Sequence, residues 1–229
     1  GLSQEDFDQS PYRRYRSSAR DEMQGSHWRA QIDYEDLFAN GDTWVVTAYH
    51  RRFHRDWYRL DRFRGGGSPS IRDALTNPNA NSLFYDILRG ADTSTVGTNG
   101  ELVVFSNDRK YVSEGLQFKW VGESKLSDGT SGAASRHSYQ RILRLHHDRI
   151  DRDHTYDYYE MLGGDMVRTA TPTQTDRQNS EEAVSWLLSS QDDFSLGNWV
   201  FTAVGRLEAV NFEQKDKITG QEKSRSDLV

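Results

Sequence analysis

Apolar and polar residues alternate with a period of two through six stretches of this chain, and the apolar side of each is rich in aromatic rings. The first stretch sets Trp28, Ala30, Ile32, Tyr34 and Phe38 on one face, against His27, Arg29, Gln31, Asp33 and Glu35 on the other. Successive strand side chains point to opposite faces, so each stretch predicts a strand with one dry face and one wet face. The strands are expected at about 26–38, 43–63, 109–121, 137–151, 180–194 and 199–212. Ala39-Asn40-Gly41-Asp42 marks a tight hairpin turn between the first two.

Between strands the connections differ sharply in length. Those after the first and fifth strands are short. The second strand is followed by a long connection over 64–108 that carries Gly65-Gly66-Gly67 and Asn77-Pro78, with short helices expected near Ile71–Leu75 and Ser82–Leu88. A Gly/Ser-rich connector spans Gly122 to Ser135, and a second long loop is expected over 152–179. Short turns at one end and long loops at the other are the habit of outer-membrane barrels. A long loop without structure of its own is uncommon in a compact soluble sandwich.

Composition supports that reading. Only 34% of residues are hydrophobic, 28% are charged, and the mean hydropathy is −0.87. Such a chain fills a soluble core poorly, but a barrel wall needs apolar side chains on one face only. Aromatics at 12% argue against disorder. No run approaches the roughly 20 apolar residues of a membrane-spanning helix, whereas a barrel strand needs only ~9–11 residues. The net charge of −6 gives no reason to expect nucleic acid, and the absence of cysteine removes disulfides and thiolate metal sites.

The second strand carries a conflict. Val45, Tyr49, Phe53 and Trp57 share a face with Arg51, Arg55 and Arg59. An arginine near a bilayer midplane costs about 2–4 kcal/mol. The strand is longer than a bilayer requires, so its distal half is expected to project into water.

Candidate chemistry is sparse. His146 and His147 are adjacent and face opposite ways, while His50 and His54 share a face at a separation of ~13 Å, so neither pair suits one metal ion. Arg62-Phe63-Arg64-Gly65-Gly66-Gly67 is no phosphate loop, since no Gly-Lys-Ser/Thr follows. Neither a nucleophile elbow nor a carboxylate pair in an apolar setting occurs, and nothing supports catalysis or a cofactor. More suggestive are the arginines of the long connections: Arg62, Arg64, Arg72 and Arg89 in the first, Arg168 in the second. Guanidinium forks suit capture of an anionic ligand, and these five are the candidate ligand-binding residues.

Specific segments then resemble a known family. Pro11-Tyr12-Arg13-Arg14-Tyr15, Phe53-His54-Arg55-Asp56-Trp57-Tyr58-Arg59-Leu60-Asp61, Tyr85-Asp86-Ile87-Leu88-Arg89-Gly90, Asn107-Asp108-Arg109 and Gly163-Gly164-Asp165-Met166-Val167-Arg168-Thr169 occur in order. With Trp199, Thr202, Arg206 and Glu208 of the last strand, they resemble the ferric-citrate-receptor-like branch of TonB-dependent outer-membrane receptors. The resemblance implies a 22-stranded transmembrane barrel of which these six strands form about a quarter. It also implies an outer-membrane location in a Gram-negative cell and transport of a ferric siderophore of carboxylate or citrate type. Implied partners are the TonB system, reached through a plug region not found in this chain, and outer-membrane lipid and lipopolysaccharide. Asp227-Leu228-Val229 is expected to fall in a loop. The other reading is a soluble β-rich module that binds a ligand or carbohydrate. The two separate on whether Trp28, Tyr34, Phe118, Trp120, Trp186 and Phe201 form an outward band or meet a second sheet ~10 Å away.

Overall fold

The structure is a computed structural model that describes residues 1–126 and 135–228. The chain is an all-β antiparallel meander. Its strands are β1 (Glu22–Leu37), β2 (Thr43–Phe63), β3 (Leu102–Leu126), β4 (Ser135–Leu162), β5 (Asp165–Arg168), β6 (Gln174–Leu196), β7 (Trp199–Asp216) and β8 (Glu222–Leu228). They form one sheet in the order β1-β2-β3-β4-β6-β7-β8, with β5 paired to β4. All described strands lie in this sheet, so no second sheet faces the aromatic rings. Among the described residues no helix is long and apolar enough to cross a membrane.

Three expectations are corrected. The long loop expected over 152–179 is largely strand: β4 runs on to Leu162 and turns through Gly163 and Gly164 into β5, with Leu162 opposite Asp165. Those two glycines take φ of 59° and 87°, the positive values that a two-residue hairpin turn requires. The first long connection ends early, because β3 begins at Leu102. The segment expected to be a terminal loop is β8, paired to β7 with Leu228 opposite Ala209. Most of the Gly/Ser connector falls on residues 127–134, outside the described residues.

The chain divides into two compact units. The first holds Gly1–Ser26, His54–Arg109 and Arg152–Gln178. Its core gathers Phe63, Leu102, Val104, Met161 and Met166 from strands, with Ala74 of helix α2 (Ile71–Thr76) and Ile87 and Leu88 of helix α3 (Ser82–Arg89). Ser70 caps α2 by accepting from the Asp73 amide, and the Phe63 ring meets Phe84 edge-on at 4.9 Å. An N-terminal helix, α1 (Gln4–Gln9), is capped by Ser3 and places Asp6 in a buried knot. The Asp6 carboxylate accepts from Arg13, Tyr15 and Tyr85, each at 2.5 Å.

The second unit holds His27–Phe53, Lys110–Asp151 and the chain from Asn179 on. Its sheet has two different faces. On one, Trp44 meets Tyr34, Phe38 and Phe118 with ring centroids 5.4–6.5 Å apart. That face continues through Leu188, opposite Leu207, and Phe194, opposite Phe201. Most of these rings and chains are exposed. On the other face Thr47 bonds Asp33, Tyr49 pairs with His146, and Arg144 and Arg206 reach Glu208. Arg51 belongs to this polar face, its guanidinium 5.7 Å from the Tyr49 ring. The conflict expected in the second strand therefore dissolves: the apolar face of β2 is carried by Trp44 and its even-numbered followers, and Tyr49 and Phe53 sit with the arginines.

Both ends of the apolar face carry polar groups. Near the β1–β2 turn, Asp42 accepts from Trp120 Nε1 (3.2 Å) and the Tyr139 hydroxyl (2.8 Å). At the other end, Glu114 accepts from His50 Nδ1 (2.6 Å) and His147 Nδ1 (3.1 Å). Leu116 and Phe118 lie between Glu114 and Trp120 on β3, a run of ~20 Å.

Candidate functional site

The arginines that carry the candidate chemistry gather on one face of the first unit, where β2 approaches Phe105 of β3 and Tyr156 and Tyr158 of β4. Arg59 lies over the Trp57 ring (5.0 Å) and the Phe105 ring (5.6 Å). Arg62 lies over Tyr156 at 4.4 Å and Arg64 over Tyr158 at 4.8 Å. A guanidinium on an aromatic face is held by the ring's quadrupole and loses little of its fork of donors. The result is a ladder of three fixed cations above three buried or half-buried rings.

Each rung also has a carboxylate beside it. Arg62 donates to Asp61 at 2.6 Å, with Arg59 4.0 Å from the same residue, and Arg64 donates to Glu101 at 2.6 Å and to the Thr171 hydroxyl at 2.9 Å. Burial works against the Arg62 charge, but the bonds to Tyr156 and Asp61 outweigh it and raise the guanidinium above its ordinary value. The surface is thus a charge-assisted network with its cations pre-positioned. An anion with two or more acceptor groups could displace the flanking carboxylates and bridge neighbouring rungs, which stand about 7 Å apart for residues two positions apart on a strand.

The five sequence candidates divide. Arg62 and Arg64 stand on the ladder, although Arg62 lies within β2 rather than in a loop. Arg168, at the end of β5, bonds Asp157 (2.7 Å) and the Thr173 hydroxyl (2.6 Å), close in sequence to the Thr171 that meets Arg64. Arg72 is exposed on α2, without a side-chain partner among the described residues. Arg89, at the end of α3, lies 5.5 Å from the Tyr85 ring, and its charge helps hold the Asp6 carboxylate ionised. The structure does not bring these last two to the ladder. It adds Arg59, Tyr156 and Tyr158, none of them among the sequence candidates for ligand binding. The available signal was the spacing of Arg59, Arg62 and Arg64 matched against Tyr156-x-Tyr158.

Of the histidines, only His50 and His147 are seen to converge among the described residues, on Glu114. His54 bonds Asp108 at 2.8 Å, His146 lies between Tyr49 and Asp148, and His147 turns to Glu114. Among the described residues no cluster of three or more His, Asp or Glu side chains could hold a metal ion.

The sheet, its alternating faces and its strand order make an all-β antiparallel wall, similar in fold to part of a solved transporter barrel. One solved structure it matches is that of the ferric citrate transporter FecA in its unliganded form, with a TM-score of 0.66 over 100% of this chain and 15% sequence identity. This chain spans 27% of the length of that transporter. At such identity the likeness is one of fold. No protein-family model matches the sequence, and no curated protein matches it.

Proposed function

We propose that this chain is part of the wall and outer loops of a TonB-dependent outer-membrane receptor, and that the receptor imports a ferric chelate of carboxylate or citrate type. The observation that carries the reading is the second unit's apolar face, exposed and bounded at both ends by polar rims, in a fold similar to a ferric citrate transporter barrel. In this reading that face meets outer-membrane lipid, with lipopolysaccharide at the Glu114 rim, and the polar face lines the lumen. The ladder of Arg59, Arg62 and Arg64 meets the anionic chelate, with Arg168 close by through the segment that carries Thr171 and Thr173. Energy would come from the TonB system through a plug region carried elsewhere in the receptor.

The test is calorimetric titration of the detergent-solubilised chain with ferric citrate and with iron-free citrate. Ferric citrate should bind, and the Arg62→Ala/Arg64→Ala variant should bind at least about tenfold more weakly, since each lost charge-assisted bond contributes about 1.5–3 kcal/mol. No heat with ferric citrate or with any other ferric carboxylate chelate overturns the ligand reading. Sequencing outward from both ends of the coding DNA tests the receptor reading separately: a plug-encoding region and further strands are expected.

A further inference from the structure

Beneath the arginine ladder lies a titratable group that the ladder does not use. His154 of β4 is 5% exposed, and its ring stands edge-on to Phe105 with centroids 5.3 Å apart. Phe105 in turn meets Tyr156 at 5.2 Å and carries Arg59 over its ring, so the imidazole belongs to the floor of the ladder. Its Nε2 is buried and has no hydrogen-bond partner. Buried polar atoms are nearly always satisfied, and each exception asks for an explanation.

The charges facing His154 are Arg109 from β3, Arg152 from β4 itself, and Asp176 and Arg177 from β6. Arg109, Arg177 and Arg152 disfavour the protonated ring, and Asp176 favours it. Burial first, then Arg109 and Arg177, hold the imidazole below its ordinary value of 6.5, with Asp176 opposing. A neutral ring fits this place. An imidazolium would sit desolvated among like charges with a donor aimed at nothing, and the way to relieve it is exposure to water.

We propose that His154 is an acid-operated latch for the ladder: protonation of its imidazole separates β3 residues 102–109 from β4 residues 152–158 and dismantles the aromatic floor under Arg59, Arg62 and Arg64. The latch requires no ligand. Its consequence, release of an anion on acidification, rests on the transport reading above. The sign follows from linkage. The closed form binds the proton more weakly than the open form, so closure is fully favoured above pH 6.5. It weakens up to tenfold per pH unit as the pH falls from there toward the closed-state value.

The test is hydrogen–deuterium exchange on the full chain in detergent micelles at pH 7.5 and 5.5, corrected for intrinsic exchange rates and without any ligand. Protection over 102–109 and 152–158 should fall at the lower pH, by up to about tenfold, while that over 199–212 stays unchanged. The variant His154→Phe keeps a ring against Phe105 and should show no fall. Protection that is flat in the wild type overturns the latch. So does an equal fall in His154→Phe, which would assign the effect to another group such as His54. Should that variant fail to fold, an NMR titration of the wild-type His154 ring decides: a midpoint below 6.5 that coincides with the exchange change supports the latch, and any other midpoint overturns it. A failure here leaves the ferric citrate titration untouched, because neither measurement contains the other's ligand.

Discussion

The two units solve opposite problems with the same strands. Of the buried hydrophobic residues described, all but Leu187 lie in the first unit, where two short helices close over Phe63, Leu102 and Met161. In the second unit every β1 residue from His27 to Leu37 is exposed, Trp28, Ile32 and Tyr34 among them, and Trp186, Leu188 and Phe201 are more than half exposed. A water-soluble sheet covers one face with its own core. The second unit leaves its apolar face bare, which suits a solvent that is itself apolar. The first unit carries its own core.

The sharpest way to break this comparison is to truncate one residue in each unit. Ile87, fully buried in the first unit's core, should cost about 2–5 kcal/mol on replacement by alanine, through lost burial and the cavity left behind. Leu188→Ala in the second unit should cost under about 1 kcal/mol in detergent, because its side chain touches solvent rather than a packed interior. Denaturant unfolding of both variants in the same micelles measures the difference. Equal losses would mean that the apolar face is packed against protein, and the lipid-facing reading would fall.

The alternation of Trp28, Ile32, Tyr34 and Leu188 with polar neighbours was enough to place most strands, since period two is local and survives without tertiary help. Both short helices of the first connection were legible too: Ser70 before Ile71, and Gly90 after Arg89, are ordinary start and stop signals. The extension of β4 was not. Residues 152–162 are so polar that they read as loop, although Gly163-Gly164 directly after them is a hairpin signal. The assignment of Tyr49 to the wrong face has a different cause. A lone strand shows two faces but not which one its neighbours share, and only the contacts of Trp44 with Tyr34 and Phe118 decide that. At the site, Arg62 and Arg64 stood out by residue type. Their partners Tyr156 and Tyr158 lie more than ninety residues away in sequence, beyond any local signal.

A smaller effect sharpens the contrast from the first unit's side. Asp6 is buried, and burial resists its charge. The Tyr15 and Tyr85 hydroxyls, with Arg13 and Arg89, overcome that resistance and hold the carboxyl below its ordinary value of 3.8. A carboxyl depressed on folding adds stability that is complete above the unfolded value and disappears as the pH falls through the folded one. The knot should therefore hold at neutral pH and loosen only below pH 3.8. Asp6→Asn removes the charge at every pH and should cost about 1–3 kcal/mol at pH 7, less as acid is added. Acid titrations of unfolding free energy for both proteins should converge at low pH. Parallel curves would show that Asp6 contributes packing rather than charge. The same substitution should leave the second unit's exchange protection untouched, since every partner of Asp6 lies in the first unit.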